Sequence, residues 1–446
     1  MTPEKFLHYA CQNTPRYTSY PTAPHFHEGV TANTYRQWLG AIDSEATGSL
    51  YVHIPYCREM CWYCGCSTRA TTRQEPIAAY LERLICEIIN TSTRIPHRAT
   101  IGHVHFGGGT PTILNADQFT RLMTCLRQAF EIKHDAEIAI EIDPRTFNLE
   151  LANSLAQNGI NRASVGVQTF DPDVQAKINR IQPLAKVTDC VDQLRRVGID
   201  RISFDLLYGL PGQTLESCRK SVATALTLAP DRLSVFGYAH VPHIKRHQSL
   251  INESDLPNAE QRVQQALAIA DMATSAGFAT VGIDHYAKSD DTMNRLATSG
   301  RIRRNFQGYT TDQTAFLLGF GASAISQMPK GYAQNTPDVG SWNRAIESGQ
   351  LATQRGVELS DEDSVRGRVI ERLMCDLAVD LDSIRTENAA DVEMPDLSDL
   401  VRDGLVVNHG NRLKIPENCR MLARIVAARF DAYQPASMAT RHSASV

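Results

Sequence analysis

Four of the eleven cysteines fall in one short run, Tyr51-Val52-His53-Ile54-Pro55-Tyr56-Cys57-Arg58-Glu59-Met60-Cys61-Trp62-Tyr63-Cys64-Gly65-Cys66. The spacing is C-x3-C-x2-C, followed by a fourth cysteine at C-x-C. A cubane iron-sulfur cluster needs thiolates converging from one compact loop, and three ligands leave one iron open for another molecule to chelate. Structural zinc instead pairs two C-x2-C knuckles about a dozen or more residues apart and closes all four positions of a tetrahedron. No second knuckle follows here, so the run predicts a 4Fe-4S cluster on Cys57, Cys61 and Cys64. Cys66 is left open as a ligand, an inert buried thiol or a participant in the reaction.

Further polar groups stand where a ligand of such a cluster would need them. In Phe106-Gly107-Gly108-Gly109-Thr110-Pro111-Thr112 three glycines let backbone come close to a ligand where a side chain would clash. Glu141 in Glu141-Ile142-Asp143-Pro144-Arg145 offers a carboxylate to an amino or ribose group. Gln168 closes Ser164-Val165-Gly166-Val167-Gln168, and Asp205 lies in Ser203-Phe204-Asp205-Leu206-Leu207-Tyr208. Each alone reads as an ordinary satisfied polar residue, and together they describe one pocket if their segments are successive strands.

The pattern makes them so. Short β-branched, apolar segments at 50–54, 103–106, 137–142, 163–167, 202–207 and 233–238 alternate with stretches of helical periodicity at 77–90, 117–130, 149–159 and 187–198. Alternation of this kind predicts parallel strands joined by right-handed crossovers, hence an α/β barrel or open sheet with its site beyond the carboxyl ends of the strands. After 238 the pattern loosens into a helix at 259–277, a strand at 280–283 and a Gly-rich stretch at 317–325, and the main domain is expected to end near 355. Ser360 caps a helix over 360–377 with Glu362 and Asp363 in its first turn. A hairpin at 405–415 and a helix at 416–433 complete a small winged-helix-like unit whose last helix carries Met421, Leu422, Ile425 and Val426 for a core.

A formal charge of -4 gives no broad positive field for nucleic acid or an anionic membrane. No apolar run reaches the roughly 18 residues of a membrane span, and Met1-Thr2-Pro3-Glu4-Lys5 does not begin a secretory signal. A cytoplasmic location is expected, where clustered cysteines serve metal or redox chemistry rather than disulfides.

The cysteine loop, with Tyr63 before the third cysteine, resembles that of the radical S-adenosylmethionine superfamily. Pro15-Arg16-Tyr17-Thr18-Ser19-Tyr20-Pro21-Thr22-Ala23, Tyr51-Val52-His53-Ile54-Pro55, Cys66, Tyr238-Ala239-His240-Val241-Pro242, Asp284-His285-Tyr286-Ala287 and Arg304-Asn305-Phe306-Gln307-Gly308-Tyr309-Thr310-Thr311 narrow the likeness. With these segments the chain resembles the oxygen-independent coproporphyrinogen III dehydrogenase (oxidase) family, over residues 13–335 strongly and over the tail loosely. The resemblance implies a partial (βα)6-type parallel barrel at 49–355, an N-terminal lid segment at 1–48 and a mostly helical C-terminal domain at 356–446. It also implies two S-adenosylmethionine molecules in adjoining sites. Tyr51, Gly108, Glu141 and Ile325 would line the first; Tyr63, Gly109, Thr110, Gln168, Arg180, Asp205 and Ala239 would line the second.

The family's chemistry implies a 5'-deoxyadenosyl radical that takes a β-hydrogen from a propionate, after which carbon dioxide leaves and a vinyl group forms. Two such conversions turn coproporphyrinogen III into protoporphyrinogen IX, at the expense of a low-potential electron donor, and a monomer is expected. Polyanionic substrate asks for guanidinium or ammonium partners, and Arg16, Lys245, Arg246, Arg303 and Arg304 are the candidates, Arg16 from the lid. Cys66 is expected to serve turnover rather than the cluster. The competing readings are a haem-binding chaperone of the same superfamily, whose relatives carry an aromatic residue in place of Cys66, and a radical methyltransferase or cyclopropanase.

Overall fold

The computed structural model describes residues 1–388 and 392–433. Six parallel strands run in chain order, β1 (Thr47–Ile54), β2 (Thr100–Gly108), β3 (Glu131–Ile142), β4 (Arg162–Gln168), β5 (Arg201–Tyr208) and β6 (Arg232–Gly237). Between them lie α1 (Glu75–Ser92), α2 (Ala116–Ala129), α3 (Leu149–Gln157), α4 (Leu184–Arg196) and α5 (Leu215–Thr227). Strands covered on both faces read as nearly continuous apolar runs, and β1 is buried at six of its positions, Gly48, Ser49, Leu50, Val52, His53 and Ile54. The helices bury one stripe each: α2 turns Phe119, Leu122, Met123 and Leu126 inward, at the three- and four-residue spacing of one helical face. Its start is fixed by a capping box in which Asn115 and Gln118 bond each other's backbone N–H.

Antiparallel strands extend this sheet at both edges. Beyond β6 lie β8 (His285–Lys288) and β7 (Phe278–Val281), with α6 (Ala259–Ser275) leading into them. Beyond β1 lie β9 (Phe316–Phe320), parallel to β1, then β10 (Ile325–Met328), β11 (Gly331–Asn335) and β12 (Thr353–Glu358). The two outermost strands are not bonded to each other, so the result is a partial barrel. The Gly-rich stretch at 317–325 is thus a hairpin: a side chain at Gly319 would strike the Ile325 carbonyl, 2.5 Å from its Cβ position. The division expected at 355 falls inside β12, and the sheet ends at Glu358. The amino ends of the strands are closed by buried ion pairs, Arg162 to Glu137 at 3.1 Å and Arg232 to Asp291 at 2.7 Å, which leaves the carboxyl ends open.

After the sheet, α7 (Asp361–Asp376) starts at a capping box between Ser360 and Asp363. The helix expected over 416–433 is divided into the 3-10 turn Glu417–Leu422, the α-helix Ala423–Ala427, whose five residues are all buried, and the 3-10 turn Ala428–Phe430. The remainder of the expected C-terminal domain, 389–391 and 434–446, lies outside the described residues. The N-terminal segment is tied to this C-terminal unit. Lys5 pairs with Asp403 at 2.6 Å, Tyr17 donates to Asp431 at 3.0 Å, and Ala432 N–H donates to the Tyr20 hydroxyl at 2.9 Å.

Helix α1 braces the end of β1 from behind. Tyr80 donates to the His53 carbonyl at 2.9 Å and accepts from Ala322 N–H at 3.0 Å. Two turns further on, the Glu87 carboxylate accepts from Gly321 N–H and from Asn335 Nδ2, each at 2.7 Å. Burial pushes the Glu87 carboxyl up to about 7. In the unfolded chain the same group loses its proton near pH 4.3, so its contribution is full below that pH and is lost as the pH rises to about 7. In denaturant titrations from pH 4 to 8, the stability of Glu87→Gln relative to the parent should therefore improve with pH, by up to about 3 kcal/mol. A difference that stays constant across the series would show that Glu87 ionises as freely folded as unfolded.

Candidate active site

The cysteine loop leaves the carboxyl end of β1 and is held against the end of β2. Gly109 N–H donates to the Ile54 carbonyl at 2.8 Å, and Thr110 N–H to the Tyr56 carbonyl at 2.9 Å. Only glycine permits this approach. A Cβ at Gly109 would lie 2.3 Å from Thr68 Oγ1 and 2.7 Å from the Tyr56 carbonyl, and Gly108 has φ +116° with the His53 ring 2.8 Å from its Cβ position. The glycine run expected to admit a ligand thus first admits protein backbone, while Gly108 and Gly109 also line the cavity beyond.

That cavity, of about 630 Å³, collects Cys57, Cys61, Cys64 and Cys66. Thr110 Oγ1 donates to Cys57 Sγ at 3.4 Å, Arg180 Nη1 and Arg145 Nη2 reach Cys61 Sγ at 3.5 and 3.6 Å, and Cys66 N–H donates to Cys64 Sγ at 3.4 Å. Hydrogen bonds from Cys66 favour the Cys64 thiolate, so its thiol is held well below the usual range. Among the described residues, no three or more His, Cys, Asp or Glu side chains are placed to hold a single metal ion. Three thiols with donors aimed at each sulfur, spread around one cavity, fit a multi-iron cluster better than one closed tetrahedral ion.

The strand ends supply the rest of the wall. Glu141 accepts from Gly108 N–H at 3.2 Å and meets His105 Nε2 at 3.2 Å. Asp205, accepting from Ser164 Oγ at 2.9 Å, is pushed up to about 6 by burial and by the charge of Glu141. Two carboxylates opening on one cavity call for a cationic or hydrogen-donating ligand between them. At the end of β4 the register shifts between Gly166 and Gln168, and Gln168 takes φ +67°, which redirects its side chain at the cavity wall. Burial alone would raise Asp143, but Arg180 and Arg145 hold its carboxyl down at about 2. Tyr63, Thr110, Arg180 and Ala239 line the same cavity. Of the residues expected to line the first ligand site, Tyr51 turns to His53 Nδ1 at 3.1 Å and stacks on His105, and Ile325 packs with Phe26, Phe306, Tyr332 and Val357.

A second cavity, of about 680 Å³, adjoins the first and shares Arg16, Cys66, Phe236, Tyr238, Ala239 and Phe306 with it. Arg16 and Cys66 expose side-chain surface, and that surface is cavity wall. Arg262, Arg304 and Arg424 also line it, against the carboxylate of Asp284. Burial, then the neighbouring Arg16, pushes the Arg424 guanidinium down to about 10. Burial likewise lowers Arg16 and Arg262. Of the five cations expected to meet a substrate, Arg16 and Arg304 are here. Lys245 instead donates to the Cys66 carbonyl at 2.9 Å, Arg246 is on the surface, and Arg303 pairs with Glu371 at 3.4 Å.

Residues 51–225 match the family model of the Radical SAM superfamily. The oxygen-independent coproporphyrinogen III oxidase of Bradyrhizobium diazoefficiens is 48% identical over 430 residues, spanning 95% of this chain and 96% of that protein. The protein of the same name from Pseudomonas aeruginosa is 38% identical over 440 residues, spanning 96% and 95%. A solved structure of coproporphyrinogen III oxidase (HemN) from Escherichia coli, described as a radical SAM enzyme, superimposes with a TM-score of 0.89 at 36% identity, covering 94% of this chain and 98% of that one. The chain belongs to the oxygen-independent coproporphyrinogen III oxidase family.

In this member of the coproporphyrinogen III oxidase family, Arg262 and Arg424 are the second-cavity arginines the sequence reading missed, as Arg145 is in the first. Arg262 sits in α6, where a charge on an amphipathic helix reads as solvated. Arg424 carried a usable signal, as a lone cation inside the apolar run Met421-Leu422-Ala423-Arg424-Ile425-Val426. For the thiols the geometry gives a direct expectation. Cys57→Ala, Cys61→Ala and Cys64→Ala should each lose most iron and acid-labile sulfide after anaerobic purification. Cys66→Ser, which keeps the backbone N–H to Cys64, should retain them. Loss of iron from Cys66→Ser would make it a fourth ligand.

Proposed function

We propose that this chain converts coproporphyrinogen III to protoporphyrinogen IX without oxygen, by radical oxidative decarboxylation of two propionate side chains in anaerobic haem biosynthesis. The observation that carries this reading is the common wall. A cavity ringed by thiols opens beside one ringed by guanidiniums, with Cys66 and Arg16 between them. Cys57, Cys61 and Cys64 would hold a 4Fe-4S cluster. S-adenosylmethionine would occupy the remaining space, one molecule toward Gly108 and Glu141 and a second toward Tyr63, Gln168, Arg180 and Asp205. When bound, these groups supply a low-potential electron, drawn from an external donor, and a 5'-deoxyadenosyl radical. Loss of one hydrogen atom to that radical, of one carbon dioxide and of one electron to an external acceptor accounts for each vinyl group.

The protein's own part is to bind, orient and keep out water. Arg16 donates to the Gly237 carbonyl at 3.3 Å while its own carbonyl accepts from Arg304 at 3.2 Å, which fixes the lid segment across the ends of β6 and the short hairpin Arg303–Asn305 and Gly308–Thr310. Asn13 and Thr18 line the second cavity on either side of it. A segment held in this way covers reactive chemistry that water would quench.

Anaerobic incubation with coproporphyrinogen III, S-adenosylmethionine and a strong reductant should yield protoporphyrinogen IX with two carbon dioxides per macrocycle. Failure to form vinyl groups with full iron and intact S-adenosylmethionine cleavage would overturn the reading in favour of a haem-carrying role. Arg16→Ala should keep its iron and lose vinyl formation by about tenfold or more. Wild-type yield in that variant would remove the lid from the mechanism. Cys66→Ser should keep its iron and lose product; undiminished turnover would reduce Cys66 to a wall residue.

A further inference from the structure

The second cavity holds one feature that a bare polyanion site does not explain. Four guanidiniums line it, from Arg16, Arg262, Arg304 and Arg424, and Asp284 is set among them. Arg16 and Arg304 act on Asp284 through space, yet its one ion pair among the described residues is with the next residue, His285, at 2.7 Å. Asp284 Oδ1 accepts that bond from His285 Nδ1, and Oδ2 makes none among the described residues. The imidazole is itself fixed, buried edge-on against Phe236 at 5.5 Å and Tyr309 at 5.1 Å between ring centres. Burial alone would raise the Asp284 carboxyl, but the bond from His285, then Arg304 and Arg16, keep it below the usual carboxylate range. An oriented carboxylate kept ionised, with an oxygen to spare on a cavity wall, is an acceptor for a ligand's N–H groups.

The reduced macrocycle has that chemistry. Its four pyrroles each carry an N–H, its bridging carbons are saturated so the rings tilt, and its carboxylates project outward. The oxidised porphyrin of the same side chains is flat and keeps only two N–H groups. We propose that Asp284, oriented by His285, accepts hydrogen bonds from the pyrrole N–H groups of the reduced tetrapyrrole, while Arg262 and Arg424 join Arg16 and Arg304 in taking its carboxylates. Phe236 and Phe306 then supply apolar wall to the ring faces. The assignment rests on the tetrapyrrole reading above and adds what selects the reduced ring. It also divides the labour: the arginines recognise side chains that both oxidation states share, and Asp284 recognises the core that differs between them.

The test is equilibrium binding to the full-length, cluster-reconstituted protein under anaerobic conditions. Coproporphyrin III is followed by its fluorescence, and coproporphyrinogen III by competition against it. Arg262→Gln and Arg424→Gln should weaken both ligands by roughly tenfold or more, and Asp284→Asn should weaken coproporphyrinogen III by a similar factor with coproporphyrin III changed much less. If Asp284 merely offsets the arginines, removing its charge strengthens the hold on both tetracarboxylates. Asp284→Asn that binds both as tightly as the parent, or more tightly, therefore overturns the assignment. Should Asp284→Asn fail to fold, as judged by circular dichroism and iron content, His285→Gln is read in its place. His285→Gln leaves Asp284 without its orienting ring, so it should lose coproporphyrinogen III selectively, and equal retention of both ligands overturns the assignment in the same way. A parent protein that binds neither ring would instead reject the tetrapyrrole reading itself, and weak binding of both rings by the arginine variants alone would leave that reading standing without Asp284.

Discussion

Four thiols, Glu141, Asp143 and Asp205 open on one cavity, and Arg145 and Arg180 enter it too and offset that anionic chemistry. Arg180 is the hinge of this arrangement. Its Nη1 faces Cys61 Sγ and Asp143, and its Nη2 donates to the Gly166 carbonyl at 2.6 Å. A side chain at Gly166 would sit 3.1 Å from that nitrogen. Local oddities of β4, a glycine, a register shift and the left-handed Gln168 beside it, therefore answer to one buried guanidinium. Removing one partner of such a buried pair costs about 3–5 kcal/mol in other proteins, so the ion pair holds both the cysteine loop and the strand ends to one geometry.

The second cavity obeys the opposite constraint. It gathers positive charge from four separate places: the N-terminal segment, α6, the hairpin at 303–310 and the helix Ala423–Ala427. Mutual repulsion among guanidiniums favours separation of these elements, and the bonds of Tyr17 to Asp431, Tyr20 to Ala432 and Lys5 to Asp403 hold the two ends of the chain together against it. The N-terminal segment and the C-terminal unit are in this sense one structure built from distant parts of the sequence.

That distance explains what was legible. The six parallel strands and the capped helix after Ser360 are periodic signals that local sequence carries, and the structure places elements at those positions. The cysteine loop and the strand-end residues Glu141, Gln168 and Asp205 were readable because parallel topology puts successive strand ends side by side. Arg262 and Arg424 were not, since a cation's meaning depends on which face of which element turns inward, and that is decided by packing. The bonds of Lys245 to a carbonyl and of Arg303 to a glutamate were illegible for the same reason. Tyr51 stacks on His105 at the end of β1, a contact that depends on the neighbouring strand and that its own segment does not announce.

Because the helix that carries Arg424 follows the cysteine loop and the whole sheet in the sequence, the two cavities come into being at different moments of synthesis. Chains emerge from the ribosome N-terminus first, at about 5–20 residues per second. Every thiol of the loop and every strand through Glu358 is outside before the helix that carries Arg424 has been made. A nascent chain can therefore own a receptive iron site while its neighbour is still an open groove, and the later-made helix that carries Arg424 works as a closing seam.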